Sequence, residues 1–179
     1  MGRSDNWQRI NAVALNLSYS YIAGLIFYLF TSTLPYYFRK TKVAKIIKEK
    51  KGLIYGRLQS CAECVYPIAQ DPSYSRQSIV TMYSLHSIRE MGHLGMPIHD
   101  HLYAQRKDIV TTINGLLIYM DFLSERDIRI LEGIKESLFF SYIIMLQNAI
   151  MDTPERRVKL AEELWNTLEL AKPHKEYYQ

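Results

Sequence analysis

The chain has 179 residues, a net charge of +4 and only two cysteines, too few for the disulfide framework of a small secreted scaffold. Its pI near 9.0 invites a nucleic-acid reading. Residues 39–58, however, hold eight Lys or Arg and one Glu, a net +7, and residues 59–179 hold twelve basic and sixteen acidic residues, a net −4. The basicity is local, the larger part repels phosphate on average, and direct binding of DNA or RNA is not expected.

The N-terminal 38 residues predict a transmembrane anchor. No charge occurs between Arg9 and Arg39. Those 29 residues in helical form would extend roughly 43 Å, enough to cross a bilayer with its headgroups. Trp7 at one end and Tyr36, Tyr37 and Phe38 at the other are the amphipathic rings that favour headgroup depth. A cleaved export signal would have a shorter apolar run and no Tyr-Tyr-Phe-Arg-Lys sequel. A soluble core helix would show a polar face, and myristoylation of Gly2 would need Ser or Thr where Asn6 stands. Within the run, Ala12, Asn16, Ser20 and Gly24 recur every four residues. Such a face lets helix backbones approach, and an Asn can hydrogen-bond across the contact, so a homo-oligomer is expected.

Residues 39–58 predict a basic stalk helix. Arg39, Lys40, Lys42, Lys45 and Lys48 follow the span closely, and positive charge is retained on the cytosolic side. The expected topology is a single pass through the inner (cytoplasmic) membrane, N-terminus out, with these cations against anionic headgroups or an anionic ligand. Val43, Ile46, Ile47, Leu53, Ile54 and Leu58 recur at helical intervals up to a breaker at Pro67 and "QDPSYS".

Residues 59–172 predict a cytosolic bundle, making the chain all-α with about five helices beyond the anchor. Ile79, Val80, Tyr83 and Met91 mark a helix over Arg76–Met91. Leu102, Ile109, Ile113, Leu116, Leu117 and Met120 mark another over Asp100–Phe122. "SERD" at Ser124 sets an acid three residues after a capping Ser, opening a helix through Ile128, Leu131, Ile134, Leu138 and Ile143. The uncharged run Ser137–Met151 is too short to span a membrane and reads as the central core helix. "TPER" caps a last helix with Thr153 and Pro154, whose inward stripe is Leu160, Leu164, Trp165 and Leu168. Residues 173–179 read as a frayed tail.

Ionisable residues gather in "HLGMPIHDHLY". "SCAEC" places Cys61 and Cys64 as a C-x-x-C pair, but no βαβ context supports a redox site. A zinc site would need further ligands from His93, His99 and His101, at a spacing unlike zinc fingers, so the cysteines read as small packing residues. His99-Asp100 resembles the dipeptide of the all-helical HD metal-dependent phosphohydrolases, and that resemblance would make both residues metal ligands. The family also needs an earlier His and a distant Asp, which the chain offers only as unselected candidates. Asp100 as an N-cap, with His99 and His101 solvated beside it, is the alternative reading. No P-loop, G-x-S-x-G, H-E-x-x-H or G-x-G-x-x-G occurs. No cofactor or resident metal is expected.

"LNLSYSYIAGLIFYLF", followed by a Pro-aromatic-basic exit and a short helical domain, resembles small bacterial single-pass membrane proteins. Some of these are antiphage-defence effectors, including type III CRISPR effectors that sense cyclic oligoadenylate. The resemblance implies a non-enzymatic effector whose cytosolic domain binds a nucleotide or protein and whose span localises or transmits the response. The competing expectation is a tethered HD-type phosphohydrolase.

Overall fold

The computed structural model describes residues 3–66, 75–148 and 151–178; side chains are described from Ile10 onward and for Trp7. The described residues are all-helical, and no β-strand occurs among them. They fall into two compact units, Met1–Ala44 and Lys45–Gln179.

The first unit is built on α1 (Arg3–Tyr28), a π-helical turn (Leu29–Thr33) and the beginning of α2 (Leu34–Glu63). The run from Ile10 is long and apolar enough to cross a membrane, and every described side chain from Ile10 to Lys42 is exposed. The π turn has an identifiable cause. Pro35 lacks an N–H and its ring would press on the carbonyl four residues back, so the ladder widens just before it. Leu34 N–H accordingly donates to Leu29 O, five residues back. The Thr31 hydroxyl donates to Phe27 O at 2.7 Å, giving a backbone carbonyl beside the turn a partner.

The second unit holds the rest of α2 with α3 (Arg76–Leu85), α4 (Ile98–Leu117), α5 (Glu125–Lys135), α6 (Leu138–Met145) and α7 (Pro154–Ala171). Single 3₁₀ segments follow α4 (Met120–Phe122) and α7 (Lys172–Tyr177). α3 and α6 pack on α7, and α4 on α5 and α6. The core is drawn from every helix: Ile54 and Leu58, Ile79 and Tyr83, Leu102 to Leu116, Leu131 and Ile134, Phe139 and Ile143, Leu160 and Leu164. α4 runs antiparallel to α2, since His101 meets Ser60 while Asp108, two turns on, meets Arg57.

Ser124 caps α5 as its sequence predicts: its hydroxyl accepts from Asp127 N–H and the Asp127 carboxylate accepts from Ser124 N–H. Thr153 and Pro154 open α7 as expected, although Thr153 makes no side-chain cap bond. Four expectations need correction. The helix from Arg76 stops at Leu85, because His86 turns extended and the chain folds back through Gly92 and Gly95. The run after Ser124 is two helices broken at Glu136–Ser137, and α6 buries Phe139, Phe140 and Ile143 while Leu138, Ile144 and Met145 stay exposed. The stalk is not separate from the bundle, since Ile54, Tyr55 and Leu58 lie in its core. The tail is not frayed: His174 is buried and Tyr177 and Tyr178 lie along α2. The predicted breaker at Pro67 and most of "QDPSYS" lie outside the described residues.

Candidate functional site

The residues expected in and at the edges of a span are all on the surface. Trp7, Tyr36, Tyr37 and Phe38 are exposed, as are Ala12, Asn16, Ser20 and Gly24. A Cβ added at Gly24 would meet nothing within 4 Å, so that face is open. Arg39, Lys40, Lys42, Lys45 and Lys48 are exposed too, and Lys45 makes a 3.9 Å ion pair with Glu49. Further along, one lysine behaves differently. Lys51 is buried, with Nζ 2.6 Å from Asp127 Oδ1.

A tail junction grows from that pair. His174, buried below α7, places Nε2 3.7 Å from Asp127 Oδ1. Burial, followed by the charge of Lys51, pushes the His174 imidazole down to about 4, against the pull of Asp127 and Glu176. Burial pushes the Asp127 carboxyl upward, but the Lys51 ion pair and the Ser124 hydrogen bonds outweigh it and hold it below the carboxylate range. The ring of Tyr177 lies 5.6 Å from Lys48 Nζ and 5.7 Å from Lys51 Nζ, within cation–π reach. Gly52 and Gly56 make the approach feasible, since a Cβ on Gly52 would strike the Tyr177 carbonyl and one on Gly56 the Tyr178 ring. The isolated lysines of the sequence gave no sign of this junction; the two glycines four apart on the stalk were the available signal.

The histidine-rich segment divides. His101 is buried on α4, its Nε2 3.0 Å from Ser60 Oγ, and burial lowers its pKa. It is therefore not solvated, as the sequence suggested. His99 is half-buried, 3.4 Å from Asp100 Oδ1 through Nδ1, and stacks on Tyr103 at 6.3 Å. The N-cap of α4 is Pro97, so Asp100 lies inside the first turn, where its charge favours the helix dipole. His93 is exposed in the loop before α4. Among the described residues no three His, Cys, Asp or Glu come together as a metal group. His99 and Asp100 touch, but neither His93 nor His101 joins them in a group of three.

The cysteines are buried helix-packing residues, as expected. The Tyr83 hydroxyl donates to Cys61 O at 2.6 Å and lies 3.5 Å from Cys64 Sγ. Burial raises both thiols, Cys64 to about 12 and Cys61 well above its usual value.

Between this pair and the loop is a cleft of about 200 Å³ lined by Cys64, Val65, Met82, His86, Met91, Gly92, His93 and Ile98. The loop is pinned over it. His93 N–H donates to Cys64 O at 2.9 Å, and Met91 bridges to Pro97. Gly92 sits so close that a Cβ would lie 2.5 Å from Cys64 O. Asp152 holds the loop from the other side, accepting from Ser87 Oγ at 2.6 Å while pairing with Arg157 at 3.3 Å. Met82 lies in the last turn of α3 and His86 caps that turn, four residues on.

Comparison of the chain with protein-family models, with curated proteins and with solved structures gives no match.

Proposed function

We propose that the protein is a single-pass membrane protein that holds a helical interaction domain at the cytosolic face of the bacterial inner membrane. The observation that carries this reading is the uncharged helix after Ile10, none of whose apolar window is buried. Leaving it in water would cost about 1.5–3 kcal/mol for each large apolar side chain, so something must cover it. A bilayer fits because the covered length ends in an aromatic cluster and then a run of cations, the order expected at a cytosolic headgroup surface. The open face at Asn16, Ser20 and Gly24 favours self-association of the span. The domain then acts by binding, and the span localises or transmits the result.

The test is alkaline extraction of membranes from cells making the full chain, with protease added outside or after the membrane is opened. The reading requires the protein to resist extraction and its C-terminal domain to be cut only after opening. Release into the soluble fraction would overturn it. Self-association is read separately: the detergent-solubilised oligomer should dissociate in Gly24→Ile, and a monomer indifferent to that change would remove the span contact.

A further inference from the structure

We infer that the cleft beneath the loop before α4 is a binding site for a cuprous ion, held by the thioethers of Met82 and Met91 and the imidazole of His86. This goes beyond the membrane reading and does not depend on it. The first observation is composition. The chain has two Cys, seven Met and five His in 179 residues, yet five of the eight residues lining this one cleft are of these three types. They come from three separate pieces of chain: the end of α2, the end of α3 and the loop. Met82, His86, Met91 and His93 lie within twelve residues, and the backward turn of the loop brings them to one cleft with Cys64.

The second observation is that the site is held in place. Met82 lies in the last turn of α3, and His86 is the residue that caps its end. His86 Nδ1 is 3.0 Å from Glu90 Oε2, an arrangement that leaves Nε2 as the donor atom and orients the ring as carboxylate partners do behind metal-bound imidazoles. Met91 and His93 belong to a loop tied to Cys64 O by backbone hydrogen bonding and by an approach only glycine allows. Met91 and His93 are exposed, which gives an entry path.

The third is selectivity. No three His, Cys, Asp or Glu converge among the described residues, so the four hard or borderline ligands of a structural zinc site are lacking. Thioethers are soft donors and, with imidazole, suit Cu(I), which accepts two or three ligands. Cys64 also lines the cleft.

The experiment uses the full chain in detergent, kept anaerobic, competing for Cu(I) with a chromophoric cuprous chelator. One Cu(I) per chain should be withdrawn from the chelator, and Zn(II) should not be retained. Met82→Leu with Met91→Leu, which preserves apolar volume, should abolish retention, and Glu90→Gln should weaken it by about 10-fold. X-ray absorption of the copper-loaded wild type should show sulfur in the first shell. A chelator that keeps all the copper would overturn the site. So would retention unchanged in the double variant, or a shell of nitrogen alone, which marks an adventitious ion on surface histidines only.

Discussion

Lys51 is almost wholly buried and meets Asp127 at 2.6 Å, turning into the bundle where Arg39, Lys40, Lys42, Lys45 and Lys48 point outward. Removing one member of such a pair strands the other charge, and that costs more than the pair itself contributes. Asp127→Asn keeps an acceptor for the Ser124 cap yet leaves Lys51 without its counter-charge. We expect it to lower stability by about 2–4 kcal/mol, read from urea unfolding of the full chain in detergent. An unchanged midpoint would show that solvent already serves Lys51.

His174 makes the same junction sensitive to acid. Its imidazole sits near 4 in the folded chain, below the ordinary value of 6.5, facing Lys51, Asp127 and Glu176. The unfolded chain therefore binds more protons between those values, so stability is complete above about pH 6.5 and falls as pH drops toward 4. The loss should approach about 3 kcal/mol at the acid end of that window. His174→Gln should flatten the slope between pH 7 and 5, and a wild-type slope no steeper than the variant's would contradict the assignment.

Gly52 and Gly56 should not tolerate alanine equally. At Gly52 the obstacle is the Tyr177 carbonyl, part of the backbone, whereas at Gly56 it is the ring of Tyr178, which is half-exposed and can swing away. Gly52→Ala should cost about 1–3 kcal/mol and open the bond after Lys175 to trypsin. Gly56→Ala should cost less than 1 kcal/mol, on the order of a tolerated packing change. Equal protease resistance in wild type and Gly52→Ala would mean that the tail does not depend on this approach.

The C-x-x-C pair should be chemically silent. With the Cys64 thiol at about 12, its thiolate fraction at pH 8 is on the order of 10⁻⁴. A thiol-reactive probe should label neither cysteine in the native chain within minutes and both in denaturant. Fast native labelling would point to an opening of α2 near Cys61.

The long apolar N-terminal helix, the all-helical class, and the starts of α5 and α7 were legible because each rests on local rules: hydropathy, a capping pair, a proline at the first helical position. Failures came where distant residues decide. Nothing around Lys135 announces that the chain breaks before Leu138, since both halves carry helix formers. The C-terminal "KPHKEYY" reads as polar and free until Gly52 and Asp127 are placed beside it. His101 looked solvated because its neighbour in space, Ser60, is forty-one residues away. The cleft at Met82 escaped the motif search for a different reason, since thioethers belong to no conventional spacing pattern.

The π turn at Leu29–Thr33 also bears on how two copies of the span could meet. A widened turn inserts one extra residue into the helical repeat, which rotates everything after it by about 100° relative to what precedes it. A partner helix that follows the Ala12–Gly24 stripe would lose that face at Leu29. Any association through that stripe is therefore confined to the stretch before Leu29, and the residues between Thr33 and the charged collar lie on a different face.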